Sequence, residues 1–329
     1  MNAVTLKIVL VTIAVVAGVS VTYFAFATNL GEQKIIGVAR WDDSAEYSLN
    51  IQGFKDGLKR MGFVEGTNVS YLIENSHSNA SKQREIIKEF TDKKVDMIYT
   101  LTTPGTLIAK NETHNIIPIV FSIVLYPVDA GLIKNWYASE NNLVGTSNHI
   151  SIEKQFSFYS QLVPVKKVAF VHRQGEPNSQ IQLQELKKYA SENNMSVVDI
   201  AATNLKDLKE KISNSIGEVD ATYESCDTLV QNGGDLIAIN VATSNKKPSF
   251  SCHQSGAENG ALAVDAADYY KLGLVSGQKA GFVLQGIKPE SLISDVEANE
   301  YTIINLKTAQ NLDLNVTEYL QHRAAEVIK

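Results

Sequence analysis

Residues 34–74 read KIIGVARWDDSAEYSLNIQGFKDGLKRMGFVEGTNVSYLIE, and this stretch decides the fold class. The opening KIIGVA (34–39) is a short apolar run rich in β-branched residues, the pattern of a buried strand. In SLNIQGFKDGLKRM (48–61), Leu49, Phe54 and Leu58 fall on one helical face, and Gly62 follows where a helix ends. NVSYLIE (68–74) then returns to the strand pattern. Strand, helix and strand in succession make a βαβ unit, whose crossover forces the two strands to run parallel.

The same alternation continues outward. Residues 81–93 are expected as a helix capped by Ser81, with Ile86, Ile87 and Phe90 as its apolar stripe. Strands follow at 95–100, 118–123 and 142–147, with a helix at 104–111. The rhythm then restarts: helices at 153–162, 179–193, 205–215, 228–241 and 268–285 alternate with strands at 167–172, 197–201, 221–225, 248–252 and 261–266. A strand at 301–305 and a short helix at 306–312 close the pattern. So many strands in one open sheet would be extreme, so the expected fold class is α/β with two lobes, each on a parallel sheet, which the resemblance given below implies to be Rossmann-like.

Composition agrees with that class. The 329 residues carry 30 Lys+Arg against 36 Asp+Glu, a net charge of −6. That length suits two domains, and 44% hydrophobic against 20% charged residues reads as globular. A mildly acidic chain with no basic block is no candidate for nucleic-acid binding. One segment stands apart: residues 8–27 (IVLVTIAVVAGVSVTYFAFA) are uncharged, and Lys7 precedes them. Twenty apolar residues in a helix match the thickness of a bilayer's hydrocarbon core. Residues 1–30 are therefore expected to be a signal peptide, cleaved after Ala27, or an uncleaved membrane anchor. Either reading puts the rest of the chain outside the cytoplasm, in the periplasm or at the cell surface. Five Asn-x-Ser/Thr sequons (Asn68, Asn79, Asn111, Asn194, Asn315) are compatible with that location, as is one disulfide between the two cysteines.

The motifs of common chemistry are missing. There is no GxxxxGK[ST] or GxGxxG phosphate loop, no GxSxG elbow, no HExxH and no CxxC. No catalytic residue, cofactor or metal is expected, and the chain is not read as an enzyme. What recurs is a polar or aromatic loop after each strand, the edge of a parallel sheet where ligands bind. Thr102, Thr103, Asn178 and Ser179 stand at helix starts, where free amides and the dipole attract an anion. Trp41 and Tyr126 offer flat apolar walls, and Asp42, Asp227 and Asp265 offer partners for an ammonium group. Together these residue types describe an amino-acid-like ligand.

At GFKDGLKRMGFVEGTNV (53–69) the chain resembles the ABC-transporter substrate-binding proteins of the type that includes tryptophan-binding members. The likeness runs on through KKVDMIYTLTTPGTLIAKN, IIPIVFSIVLYPVDAGLI and NLVGTSN. It resumes at VKKVAFVHRQGEPNSQIQLQELKKYA, GEVDATYESCDTLV, KPSFSCHQSG and NGALAVDAADYYKLG, and ends at IINLKTAQNLDLNV. The resemblance implies the periplasmic-binding-protein type I fold: two lobes joined by three crossovers, near residues 145–150, 264–267 and 298–302. Lobe 1 would be 31–147 plus 266–298, and lobe 2 would be 148–265 plus 299–329. It implies ligand capture by hinge closure, a membrane permease as partner, membrane association through the N-terminus, and a monomer. An extracellular sensor domain and an enzyme on a two-lobe scaffold are the alternatives.

The residues that match the family pattern are Thr102, Thr103, Pro104, Ser147, Asn178, Ser179 and Asp265. The departures are Leu125-Tyr126-Pro127, Glu224-Ser225-Cys226-Asp227 and Ser251-Cys252-His253. Ser122 and Glu224 stand in the same loops and complete the expected ligand-binding set. In the sheet order the resemblance implies, the strands ending at Ser225 and Ser251 are neighbours, which brings Cys226 and Cys252 within reach of a disulfide. Two free buried thiols are the alternative.

Overall fold

The computed structural model describes residues 33–296 and 300–329. The expected N-terminal signal or anchor segment lies outside the described residues, as does part of the 298–302 crossover. Among the described residues no helix is long and apolar enough to cross a membrane.

Thirteen described strands form two sheets. The first contains β1 (Lys34–Arg40), β2 (Val69–Asn75), β3 (Met97–Leu101), β4 (Ile119–Ser122) and β5 (Leu143–Ser147). The second contains β6 (Lys167–Arg173), β7 (Ser196–Ala202), β8 (Ala221–Glu224), β9 (Ser249–Ser251) and β10 (Ala263–Ala267). The remaining strands are β11 (Asp295–Val296), β12 (Glu300–Asn305) and β13 (Glu326–Ile328). The sheet orders are β11-β5-β4-β3-β1-β2 and β13-β12-β10-β9-β8-β6-β7. Within each, the five main strands follow one doubly wound pattern, 2-1-3-4-5, and all of them pair in parallel. The antiparallel exception is β12, which pairs with β10 so that Asp265 faces Thr302.

Helices cover both faces of the sheets, so the central strands are buried throughout; β3, β4, β5 and β10 have no exposed residue. One difference from the sequence pattern has a local cause. The helix expected over 228–241 is interrupted at Val230–Gly234, where Gly233 takes φ +94° and Asn232 leaves helical geometry; a regular helix resumes over Asp235–Ser244. Residues 231–235, Gln-Asn-Gly-Gly-Asp, carry no apolar side chain, and the Gly-Gly pair marks the interruption in the sequence.

The chain changes sheets three times: after β5, after β10, and between β11 and β12. After β10, the Tyr269–Leu284 helix packs not on the second sheet but on the Ala45–Arg60 helix of the first. Four glycines make this contact. A Cβ on Gly53 would lie 2.1 Å from the Tyr270 carbonyl oxygen, and one on Gly57 would lie 2.2 Å from that of Leu274. Reciprocally, a Cβ on Gly273 would lie 1.9 Å from the Asn50 oxygen, and one on Gly277 would lie 2.1 Å from that of Phe54. The two backbones touch, and no other residue type fits.

A buried polar network seals the contact. Asn50 Nδ2 donates to the Tyr269 carbonyl (2.9 Å) and to Ser122 Oγ (3.0 Å). Ser122 Oγ pairs with Thr146 Oγ1, which pairs with Ser276 Oγ, each at 2.9 Å. The ring of Phe54 stacks on Tyr99 beneath, with centroids 3.7 Å apart.

Gly57→Ala tests the backbone contact. The change adds about 1 kcal/mol of helix propensity, but overpacking at a rigid carbonyl costs roughly 1–3 kcal/mol. Equilibrium urea denaturation is expected to show net destabilisation. Gly217→Ala, where an added Cβ meets nothing within 4 Å, is expected to leave the midpoint unchanged.

Candidate functional site

A slot lies between the carboxyl ends of the two sets of strands. Its first wall is Thr102, Thr103, Ile123, Leu125 and Asn148; its second is Glu176, Asn178, Cys226, Asp227, Thr228 and Gln231. The walls come from the loops after β3, β4 and β5 on one side and after β6 and β8 on the other. The switch points of the two strand orders, β1/β3 and β6/β8, therefore face each other across it. The remaining space is about 10 Å³, room for a single water. Any larger solute can enter only when the two walls separate.

The first wall holds its residues in unusual backbone conformations. Thr102 has φ +69° and Ile123 has φ +57°. Both are β-branched, so both are genuine outliers of the left-handed region, and such strain concentrates at functional sites. The Thr102 conformation turns the chain from β3 directly into the Thr103–Thr113 helix, with Pro104 in its first turn. Thr102 Oγ1 accepts from the Gly105 amide at 3.4 Å, and its carbonyl accepts from the Thr106 amide at 3.0 Å. The positive end of that helix thus meets the slot at Thr103.

Two acceptors in the slot lack a partner. Asn178 Nδ2 donates to the Cys226 carbonyl at 2.8 Å, which leaves its Oδ1 buried and unpaired. Asn148 Oδ1 is likewise buried without a partner. Glu176 lies among them, accepting from the Thr228 amide at 3.2 Å. Burial, reinforced by the neighbouring Asp227 carboxylate, pushes its pKa up to about 8.

Hydrogen bonds cross the seam around the slot. Tyr47 donates its hydroxyl to Gln231 Oε1 (2.6 Å), and Asn232 Nδ2 donates to Asp42 Oδ2 (2.8 Å) and Ser78 Oγ (3.1 Å). The Ser255 amide donates to Glu46 Oε1 (3.2 Å), and Tyr126 donates its hydroxyl to Glu185. Burial raises the pKa of Asp42 above the usual range, against hydrogen bonds from Ser44, Asn232 and Ser78.

Of the residues singled out from the sequence, Thr102, Thr103, Asn178, Cys226 and Asp227 line the slot. Asp42 and Tyr126 stand at the seam, where each bonds the opposite lobe. Trp41 is buried next to Thr102. Pro104 starts its helix half-buried, outside the lining.

The others are engaged elsewhere. Ser122 points into the network with Asn50 and Thr146, Ser147 Oγ donates to the Leu125 carbonyl, and Ser179 Oγ donates to the carbonyls of Arg173 and Glu176. Glu224 faces the other side of its strand: its Oε1 accepts from Thr222 at 2.6 Å, Oε2 has no partner, and burial raises its pKa to about 8. Asp265 is buried in β10, away from the lining.

Asp227 is not open to an ammonium group. Oδ1 accepts from the amides of Leu229 and Val230 at 2.9 Å, and Oδ2 accepts from the Arg173 amide at 2.6 Å and from Ser225. It clamps the loop instead. Cys226 and Cys252 are joined in a disulfide, with Cα atoms 5.6 Å apart. Their sulfurs converge with His253, the one grouping among the described residues with metal-ligand geometry, but the sulfurs are bonded to each other.

Ile123, Asn148, Glu176, Thr228 and Gln231 line the slot without having been singled out from the sequence, and Leu125 was named there only as a departure from the family pattern. Glu176 sits in the loop after β6, and only its burial distinguishes it from a solvated loop carboxylate.

The family model of ABC transporter substrate binding proteins matches residues 37–328. A tyrosine-binding protein from Clostridioides difficile (strain R20291) is 31% identical over 289 residues, covering 87% of this chain and 83% of that protein. Among solved structures, a domain from Streptococcus pneumonia in complex with L-Trp superposes with TM-score 0.85 at 26% identity, over 90% of this chain and 100% of that one. The ligand-free, open structure of a substrate binding protein with adhesive properties from Clostridium difficile gives TM-score 0.72 at 28% identity, over 90% of this chain and 99% of that one.

Glu224 supplies a test of the buried charge balance. Folded, it keeps its proton up to about pH 8; unfolded, it ionises near 4.5. The folded state therefore binds more protons between those values, and stability falls as pH rises through that window. Glu224→Gln removes the titration and keeps the shape. Its melting temperature is expected to match wild type near pH 4.5 and to exceed it by several degrees at pH 8, read by differential scanning calorimetry.

Proposed function

The chain belongs to the family of ABC transporter substrate-binding proteins, and we propose that this member captures a single amino acid, with an aromatic side chain, in the slot between its two sheets. The carrying observation is the slot itself. A helix N-terminus at Thr103 faces two unpaired buried amide oxygens, on Asn148 and Asn178. The former suits a carboxylate and the latter an ammonium group, with Glu176 close enough to add its charge once ionised. The indole of Trp41 supplies an apolar surface beside Thr102. The relatives support an aromatic side chain, since one is a tyrosine-binding protein and another is a complex with L-Trp.

Binding works by hinge closure. The fit is better to the L-Trp complex than to the open, ligand-free relative, in keeping with a closed arrangement here. The seam bonds from Tyr47, Asn232 and the Ser255 amide would hold that arrangement. A ligand that binds both walls selects it, by as much as its affinity differs between open and closed states. The lobes are 31–147 plus 266–298 and 148–265 plus 299–329, a division supported by the sheet membership of β5, β6, β11 and β12, while β10 runs two residues past the 265/266 boundary within the second sheet. The protein acts outside the cytoplasm as a monomer, held at or released from the membrane by its N-terminal segment. It hands its solute to an ABC permease, whose ATPase supplies the energy, and no bond chemistry is needed in the slot.

Isothermal titration calorimetry against the twenty amino acids is expected to give micromolar or tighter binding for at least one aromatic member. Asn178→Leu should weaken it about tenfold or more, the cost of a lost hydrogen bond to a charged group. Small-angle scattering should show the radius of gyration falling on saturation. Absence of binding by every amino acid would sink this reading.

A further inference from the structure

Gln231 lines the slot, and three partners hold its side-chain amide. Oε1 accepts from the Tyr47 hydroxyl of the first lobe at 2.6 Å, while Nε2 faces the Tyr269 hydroxyl at 3.2 Å and His253 Nδ1 at 3.0 Å. Tyr47, Tyr269 and His253 are all buried. The backbone is shaped for this contact. A regular helix turns successive side chains about 100° apart. The break at Val230–Gly234, with Gly233 at φ +94°, lets Gln231 and its neighbour Asn232 both reach the first lobe, the second through Asp42 and Ser78. Such departures from helical geometry recur at functional sites.

The two ends of an amide have opposite hydrogen-bonding character, so something must fix which end meets Tyr47. The His253 ring does so. Its Nε2 lies 2.7 Å from the Ser225 carbonyl, and its other neighbour, Cys252 Sγ at 3.6 Å, belongs to the disulfide. Both can only accept, so Nε2 carries the proton. In the neutral ring Nδ1 is then an acceptor, Gln231 turns its NH2 toward it, and Oε1 is left facing Tyr47. Protonating the ring reverses this. Either Nδ1–H opposes the Gln231 NH2, donor against donor, or the amide turns over and the buried Tyr47 hydroxyl loses its acceptor. Both outcomes penalise the arrangement in which Tyr47 meets Gln231, which is the closed one. With the lobes apart, water satisfies the same groups.

We infer that Gln231 latches the closed state and that His253 is its positioning residue, so that acidification through the histidine range favours the open lobes and weakens solute capture. This deepens the capture reading and rests on it for the solute alone, since the latch joins the lobes whatever occupies the slot. The other ionisable groups at this junction are carboxylates and phenols. Glu46 accepts from the Ser255 amide, two residues from His253, and Asp227 accepts from Ser225. Asp42 and Glu176 act on Tyr47. Burial keeps the Tyr47 and Tyr269 hydroxyls protonated. The carboxylates also respond to pH, so the test must separate them from the ring.

An asparagine at 253 does so, because its Oδ1 stands where Nδ1 was, accepts from Gln231 and cannot titrate, while every carboxylate stays in place. Wild type, His253→Asn and Tyr47→Phe are titrated calorimetrically with L-tyrosine, L-phenylalanine and L-tryptophan at pH 7.5 and pH 5. Small-angle scattering of the ligand-free proteins accompanies each pH. Wild-type affinity is expected to fall about tenfold at pH 5, the effect of one hydrogen bond. His253→Asn should match wild type at pH 7.5 within about threefold and change little at pH 5. Tyr47→Phe should bind about tenfold more weakly already at pH 7.5, and it decides the matter if His253→Asn does not fold. Equal wild-type affinity at both pH values, or the same fall in His253→Asn as in wild type, overturns the latch and leaves capture standing. If no amino acid binds wild type, the capture reading fails and scattering judges the latch. A wild-type radius of gyration that grows at pH 5 while that of His253→Asn does not supports it, and any other pattern overturns it.

Discussion

The contact on which the rest depends is the glycine-to-glycine packing of two helices that are more than two hundred residues apart in the chain. Gly53 and Gly57 on Ala45–Arg60 meet Gly273 and Gly277 on Tyr269–Leu284 with backbone against backbone. Because the chain has just left β10 of the second sheet, this contact fixes where the polypeptide must cross back to the first. Asn50 then ties the junction to the carboxyl end of the sheet through Ser122, and Tyr99 donates its hydroxyl to Asn50 Oδ1. The slot residues after β3 and β4 are therefore positioned by a helix pair on the far side of those strands. Tyr269, at the start of the second helix, carries the link further, since Gln231 Nε2 donates to its hydroxyl at 3.2 Å.

Both lobes place their functional loops by one rule. In a doubly wound sheet, the loops on either side of the switch point diverge and leave a crevice at the carboxyl edge. Here two such crevices are opposed, so different groups meet: a helix N-terminus and the Asn148 amide oxygen on one side, the Asn178 amide oxygen and the buried Glu176 carboxyl group on the other. Left-handed Thr102 and Ile123 and the unpaired amide oxygens of Asn148 and Asn178 all line this edge. Each costs the fold free energy, and such costs concentrate at functional sites. The Cys226–Cys252 link fastens the β8 and β9 loops together at the rim.

The architecture was largely legible without coordinates. The alternation in residues 34–74 and its recurrence specify parallel sheets because hydrophobic period and turn placement are local properties of a chain. Thr102, Thr103 and Asn178 were legible for the same reason, since a polar residue between a strand and a helix sits at the ligand-binding edge whatever the rest of the fold does. Ser122, Ser147, Ser179 and Glu224 fit that same local description and yet turn elsewhere. Whether a loop hydroxyl faces the slot or a neighbouring carbonyl depends on one or two backbone torsions and on which helix packs above it. The Val230–Gly234 break is a local feature too, marked by Gly233-Gly234 and by the lack of any apolar residue from 231 to 235.

Sequence alone determined that the chain makes two α/β lobes of the substrate-binding-protein kind, since periodicity and family motifs are written along one dimension. Tertiary structure alone decided which polar side chains are left without partners. Asp227 has both oxygens engaged by donors that the fold brings to it from Arg173, Leu229 and Val230, whereas Gln83, an ordinary polar residue in a helix's first turn, has none. Hydrogen-bond satisfaction is a property of three-dimensional neighbours, so it can be assessed only once those neighbours are in place.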